Sequence, residues 1–189
     1  IPIATTQTLH AVWGRSSSSL WVVGTAGSLF YWDGTRFTAQ TSGITGALRA
    51  IFGDSSTIRV AGDGGVILKW NGTSWTPEPT GTSTVITSIW GAAANDVWAG
   101  TNNSTLCHFG GTAWTCGAEP GFNYTFSIWG SSKNDVWAVG PASQAMHWNG
   151  TTWATVSRSG ASNATSIYGT AANDVWMVGS NGTIERWDG

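Results

Sequence analysis

Apolar and polar residues alternate along this chain in short runs, and the runs are separated by Gly, Asn, Asp and Ser. The clearest example extends from Ser127 to Trp153 and contains three apolar runs that end in Trp129, Gly140 and Trp148. Alternation over four to six residues, bounded by turn residues, predicts β-strands that are half-buried. The same arrangement occurs five times. The aromatic residue of the first run recurs as Trp13, Phe52, Trp90, Trp129 and Tyr168, at intervals of 38 or 39 residues.

A period of about 40 residues with four short strands is typical of a propeller blade, because a single four-stranded sheet buries its two faces only by stacking on neighbours. We therefore predict an all-β fold, a five-bladed β-propeller of four-stranded antiparallel blades. The unbroken repeat predicts one domain over residues 1–189. The predicted blades are residues 9–43, 48–81, 86–121, 126–160, and 165–189 together with 1–6.

The fifth repeat stops after its third strand, at the Trp187-Asp-Gly segment. We predict that the N-terminal strand, Ile1-Pro2-Ile3, supplies the missing fourth strand and closes the last blade and the ring. Since this segment lacks the Thr-x-Trp-Thr stretch of other repeats, we expect the junction to be the weakest part of the ring.

Charge and composition exclude several classes of function. Charged residues make up 10% of the chain and the net charge is −2, so no basic surface is available for nucleic acid. No apolar run approaches the ~20 residues needed to cross a bilayer, so we predict no membrane insertion. The start at Ile1-Pro2 carries no basic and apolar leader, and we expect any secretion signal to have been removed or to lie outside this sequence.

Two kinds of turn recur between the predicted strands. Segments such as Trp70-Asn-Gly-Thr-Ser-Trp75 place Asn-Gly or Asp-Gly where a hairpin needs positive φ, so the two flanking aromatic residues should face each other. Loops ending in Asn-Asp, at Asp96, Asp135 and Asp174, supply one carboxylate each. We interpret these aspartates as turn stabilisers rather than calcium ligands, because a calcium site needs several oxygen ligands.

The repeated Asp-Val-Trp-Ala-Val-Gly motif, followed by Trp-Asn-Gly-x-x-Trp, resembles β-propeller segments of predicted secreted bacterial proteins. The resemblance covers all five repeats and implies lectin-like, adhesin or enzyme-appendage roles without selecting one. The turn is also similar to the Asp-box of sialidases, but it lacks the leading Ser-x-Asp. The Arg and Tyr residues that sialidase activity requires are scattered here, so the resemblance does not imply that activity.

Tryptophan is abundant, with fourteen residues, and every one falls on one of four repeated strand positions. We therefore expect them in the core between blades rather than on a sugar-stacking platform. Arg59 occupies a position where the other repeats carry Trp21, Trp98, Trp137 or Trp176. It is expected to pair with an acid such as Asp54 or Asp63, or to stack on an aromatic ring.

The candidate binding residues lie in loops that vary between repeats, at one end of the predicted disc. Short polar side chains there suit a hydroxyl-rich ligand, and loops on a rigid scaffold commonly carry binding sites. The candidates are Asp63, Asn102, Asn103, Tyr124, Gln144, Arg158 and Asn181. We predict no catalytic residue, since there is no Gly-x-Ser-x-Gly motif and no paired carboxylates, and we predict no metal and no cofactor.

These observations favour a non-catalytic, multivalent carbohydrate-binding module. The alternative, a structural or protein–protein interaction propeller without sugar binding, stays open, so the partner is either a glycan or a protein. Cys107 and Cys116 flank the Phe109–Trp114 turn symmetrically, and a cross-strand pair at this spacing can form a disulfide. A disulfide favours an oxidising compartment, so we expect a secreted or extracellular protein.

Overall fold

The computed structural model describes residues 2–119, 121–142, 144–158 and 162–189. In these residues the chain forms β-strands and two short 3-10 turns, arranged as five antiparallel sheets. We call the sheets blades 1 to 5 in chain order. The all-β fold with five blades is as the repeat predicts.

The strand bounds repeat from blade to blade. Blade 1 contains β1 (Leu9–Ser16), β2 (Ser19–Gly24), β3 (Leu29–Trp32) and β4 (Phe37–Ala39). Blade 2 contains β5 (Leu48–Gly53), β6 (Ile58–Gly62), β7 (Ile67–Trp70) and β8 (Trp75–Pro77). Blade 3 contains β9 (Ile86–Ala93), β10 (Asp96–Thr101), β11 (Thr105–Phe109) and β12 (Trp114–Ala118). Blade 4 contains β13 (Ser127–Ser132), β14 (Asp135–Val139), β15 (Ala145–Trp148) and β16 (Trp153–Thr155), and blade 5 contains β17 (Ala164–Ala171), β18 (Asp174–Gly179) and β19 (Ile184–Trp187).

Local turn chemistry sets the register within each blade. Aromatic residues pair across the third and fourth strands, as predicted, for example Trp70 with Trp75 and Phe109 with Trp114. The Oδ1 atom of Asn71 accepts the backbone N–H groups of Thr73 and Ser74, at 2.9 and 2.8 Å. The glycine of this turn, Gly72, has a φ of 100°, a conformation that only glycine adopts at low cost. The turn residues therefore hold each outer hairpin in register.

The core lies between the blades. The innermost strand of each blade contacts the innermost strand of the next one, from β1 through β5, β9 and β13 to β17. Four separate apolar clusters fill the four junctions, and each combines residues from two adjacent blades. Because side chains alternate along a strand, each blade presents one set of residues to the preceding blade and another set to the following blade. We call these its backward face and its forward face.

Among the residues that the structure describes, the ring is not closed and Pro2 and Ile3 of the predicted closing strand form no strand. Blade 5 has three strands, and residues 2–8 form no strand; Ile1 lies outside the described residues. The N-terminal segment is held at its own blade instead, because Thr8 and Thr25 exchange hydrogen bonds of 3.1 and 2.9 Å. Within the described part of the chain, the five blades therefore form an open arc.

Cys107 and Cys116 are joined by a disulfide between β11 and β12, with a Cα–Cα distance of 4.1 Å. The two residues are directly opposite each other in the strand register. None of the residues that the structure describes lies in a helix of the length and apolarity that a membrane span requires.

Candidate interaction site at the axial rim

One repeat position near the start of each innermost strand does not follow the pattern of the repeat. It carries His10, Arg49, Thr87, Phe126 and Thr165 in blades 1 to 5. The neighbouring position before it is apolar in blades 1, 2 and 3, where Leu9, Leu48 and Ile86 begin their strands. Because the innermost strands lie side by side, these variable residues come together along the inside of the arc. We call this row of five residues the axial rim.

A cleft of about 220 Å³ is lined by four of the rim residues and by Tyr124. The rim residues are His10, Arg49, Thr87 and Phe126. Tyr124 belongs to the loop before β13, and its ring lies 4.7 Å from that of Phe126. The cleft thus has a histidine and an arginine side chain on one side and two aromatic rings on the other.

The carboxylate of Asp63 fixes the guanidinium of Arg49. The Nε atom of Arg49 donates to Oδ1 of Asp63 at 2.6 Å, and the backbone N–H of Ala47 donates to Oδ2 at 3.1 Å. The hydrogen bond from Arg49 holds the pKa of Asp63 below its ordinary value, with further help from the Ala47 N–H and the positive charge of Arg49. Asp63 therefore stays ionised and orients Arg49, whose side chain remains 39% exposed.

The hydroxyl of Thr87 is used within the fold. Its Oγ1 atom donates to the carbonyl oxygens of Thr125 and Gly100, the latter at 3.1 Å. Thr87 therefore contributes shape and a methyl group to the cleft, whereas Arg49 and His10 contribute polar chemistry.

Of the residues predicted to bind a ligand, Tyr124 lines this cleft and Asp63 supports it. The others lie in separate loops, where several have structural roles. The Oδ1 atom of Asn103 accepts hydrogen bonds from Thr101 and Thr105, and the side chain of Asn102 is exposed on the same turn. Gln144 is buried, and its Oε1 accepts the backbone N–H of Asn123 at 3.0 Å.

Arg158 and Asn181 lie near the outer part of blade 5. Arg158 donates to both carboxylate oxygens of Glu185 at 3.2 Å and to the carbonyl oxygen of Ser162 at 2.8 Å. Asn181 has a φ of 57° and donates through Nδ2 to Ser162. These two residues are therefore part of a loop-stabilising network far along the arc from Asp63.

His10, Arg49 and Phe126 were not among the predicted site residues, yet they line one cleft. The predicted residues are mostly polar loop residues, whereas these three side chains belong to or adjoin the innermost strands. The sequence does contain a feature that points to them. When the five repeats are aligned, the axial-rim position differs between repeats in charge, aromaticity and size. A repeat position that varies on a rigid scaffold is a candidate for ligand contact, because packing does not determine it.

The Asn-Asp loops have a structural role in blades 3, 4 and 5. Asp96 and Asp135 bind the Nε2 atoms of His108 and His147, at 3.0 and 2.6 Å, and each histidine ring stacks on the Trp of the adjacent strand. In blade 5, Asp174 accepts from Arg186 at 2.8 Å. The described residues contain no group of three or more His, Cys, Asp or Glu placed to hold a metal ion.

The arrangement of antiparallel sheets side by side around the innermost strands defines the β-propeller class, and comparisons with solved structures agree. A structure of YCF48 bound to D1 peptide has a TM-score of 0.76 with this chain at 15% identity, over 100% of this chain and 67% of that one. YCF48 from Cyanidioschyzon merolae has a TM-score of 0.72 at 14% identity, over 99% of this chain and 71% of that one. The WD40 β-propeller domain of Doa1 has a TM-score of 0.78 at 14% identity, over 97% of this chain and 65% of that one.

These likenesses show the propeller fold, and this chain spans about two thirds of the length of each of those solved chains. No protein-family model and no curated protein sequence matches this chain.

Proposed function

We propose that this protein is a non-catalytic protein-interaction propeller whose axial rim binds a short peptide segment of a partner. The observation that carries the proposal is the cleft at the rim, where Arg49, His10, Tyr124 and Phe126 meet at a position that varies between repeats. A preformed concave site with a few fixed polar groups and aromatic walls is the usual form of a ligand site.

The chemistry of the cleft suits a peptide that carries a carboxylate beside an aromatic or large apolar side chain. Arg49 is held in place by Asp63, and its exposed guanidinium nitrogens present a fork that matches a carboxylate. The rings of Tyr124 and Phe126 provide the apolar surface. Pre-orientation by Asp63 lowers the entropy lost when the ligand binds.

A protein ligand is supported further by the comparison with YCF48, whose structure contains D1 peptide. Carbohydrate binding, the main expectation from the sequence, has less support. Its polar candidates do not form one site, and the buried Trp98, Trp114 and Trp137 pack between blades. We also propose, from the disulfide, that the protein works in an oxidising compartment outside the cytoplasm.

A peptide array tests the proposal directly. The purified chain is applied to immobilised short peptides that combine Asp or Glu with Phe, Tyr, Trp or Leu, and the affinity of the best binder is measured by fluorescence polarisation. We expect Arg49→Gln and Phe126→Ser each to weaken binding about tenfold, which corresponds to the loss of one charge-assisted hydrogen bond or one ring contact.

Arg36→Gln is the matched control, because Arg36 is an exposed arginine at a turn of blade 1, away from the rim. It should leave the affinity unchanged. A glycan array is probed in parallel. Glycan binding that survives Arg49→Gln and Phe126→Ser, with no peptide bound, would overturn the proposal in favour of the lectin hypothesis.

A further inference from the structure

Large apolar side chains that are exposed lie only at the two ends of the arc, among the residues that the structure describes. They are Leu9 and Val12 in blade 1, and Tyr168, Trp176, Val178, Ile184 and Trp187 in blade 5. Single exposed apolar residues are common on proteins, but a contiguous group marks an interaction surface. The three middle blades have no residue in this group.

The exposed residues on the forward face of blade 5 correspond to buried residues in every other blade. Trp176 is 43% exposed, whereas residues at the same repeat position, Trp21, Arg59, Trp98 and Trp137, are at most 6% exposed. Ile184 is 68% exposed, and its counterparts Leu29, Ile67, Leu106 and Ala145 are at most 3% exposed. In blades 1 to 4 these positions are covered by the following blade.

On the backward face of blade 1, too, residues are exposed whose counterparts in later blades are buried. Val12 is 65% exposed, whereas its counterparts Ile89, Ile128 and Ile167 are buried against the preceding blade. Leu9 is also exposed, and its counterparts Leu48 and Ile86 are fully buried.

Each of the four internal junctions joins a forward face to a backward face. The free forward face of blade 5 and the free backward face of blade 1 are therefore the two halves of one further junction of the same kind. We propose that these faces bind each other between molecules, so that blade 5 of one copy docks head-to-tail on blade 1 of a second copy. A second copy of the chain is the expected partner, because it offers the same kind of face that covers each blade at the four junctions within the chain.

Such an interface is heterologous, because two different surfaces meet. A head-to-tail pair keeps one free backward face on its first copy and one free forward face on its second, so association continues as the concentration rises. This inference is independent of peptide binding at the rim, which lies on the inside of the arc.

Sedimentation velocity over a range of concentrations tests the inference. Val12→Asp blocks the backward face and Ile184→Asp blocks the forward face, and both positions are exposed enough to accept the change in the folded monomer. We expect the wild type to associate with rising concentration and each variant alone to remain monomeric. An equimolar mixture of the two variants should form a 1:1 dimer, because one intact face remains on each molecule.

Thr115→Asp, at an exposed position on β12 of blade 3, is the control and should associate like the wild type. A wild type that stays monomeric at all concentrations would overturn the inference and would indicate that the ends close within one molecule or bind another protein. Dimers of Val12→Asp alone would also overturn it, since they would require a symmetric interface.

Discussion

Arg59 and Glu78 form a buried ion pair at the junction between blades 2 and 3. The Nε atom of Arg59 donates to Oε2 of Glu78 at 2.7 Å, and the guanidinium lies 4.5 Å from the ring centre of Phe109 in blade 3. Glu78 also accepts from Nε1 of Trp114 at 3.0 Å. In the other four blades, a tryptophan stands at the position of Arg59. A charged network thus replaces one aromatic side chain in an otherwise apolar junction.

Glu78→Gln should destabilise the fold by about 3 kcal/mol, because removing one charge of a buried pair leaves the other uncompensated. Chemical denaturation measures the change. Glu119→Gln is the matched control, since Glu119 follows the fourth strand of blade 3 as Glu78 follows that of blade 2; it should change stability by less than about 0.5 kcal/mol. The double variant Arg59→Trp with Glu78→Gln should recover part of the loss, because it restores the residue of the other blades. Equal stability of Glu78→Gln and the wild type would contradict this account.

Protonation of the Glu78 carboxylate should make the fold less stable in acid. Burial alone would raise the pKa of Glu78, but hydrogen bonds from Arg59 and Trp114, together with the positive charge of Arg59, outweigh burial and lower it from 4.5. A lowered pKa in the folded state means that the stabilisation is complete above pH 4.5 and is lost as the pH falls through the folded value. The free energy of unfolding should therefore fall below pH 4.5 in the wild type. In Glu78→Gln, this pH dependence should be smaller, and an unchanged profile would show that other carboxylates cause it.

Trp137 and Trp176 occupy the same repeat position but differ in burial, because blade 5 packs over Trp137 whereas no described residues form a blade over Trp176. Trp137→Ala should cost about 3 to 5 kcal/mol, the usual effect of emptying a buried aromatic site. Trp176→Ala should cost less than about 1.5 kcal/mol in the monomer, since its ring is already partly solvated. Urea unfolding at low concentration compares the two. Equal costs would indicate that the ring closes over blade 5.

Reduction of the Cys107–Cys116 disulfide should lower the free energy of unfolding by about 2 to 3 kcal/mol, the loop entropy for a nine-residue separation. The measurement compares unfolding with and without a thiol reductant. The double variant Cys107→Ala with Cys116→Ala should be insensitive to the reductant, which separates the effect of the bond from other effects of the reagent. A wild type with the same stability in both conditions would exclude a stabilising disulfide.

Blade 5 should be stabilised when a segment that can form a fourth strand is added at the C-terminal end of the chain. The segment of residues 151–155, Thr-Thr-Trp-Ala-Thr, contains the end of the turn and the outer strand of blade 4, Trp153–Thr155, and can be attached after Gly189. Its Trp would face Trp187, as Trp153 faces Trp148. The aromatic pair and the newly covered edge should add about 1 to 2 kcal/mol in thermal or chemical unfolding. The same segment with Pro in place of its Trp is the control and should add nothing, because proline cannot complete the pairing.

The five blades are predictable from the sequence, whereas most residues of the axial-rim cleft are not. The five-fold count, the hairpin pairs such as Trp70 with Trp75, and the structural character of the Asn-Asp loops follow from neighbours within one repeat. Arg59 pairs with an acid and lies over an aromatic ring as expected, but the acid is Glu78 and neither Asp54 nor Asp63 is hydrogen-bonded to it. Asp54 accepts the backbone N–H groups of its own turn, and the positive charge of Arg59 helps to lower its pKa without a hydrogen bond between them, whereas Asp63 holds Arg49.

Within a blade, the turn types, the pairing of neighbouring strands and the four strands of blades 1 to 4 follow from the sequence, whereas the fourth strand expected for blade 5 is not formed. These properties depend on alternation and turn chemistry over a few residues, which are written directly in the chain. Other features are visible only in the three-dimensional structure: His10, Arg49, Tyr124 and Phe126 share a cleft, Glu78 neutralises Arg59, and the two end faces are exposed. Such contacts join residues from different blades, and their geometry depends on how successive sheets stack, which no local pattern specifies.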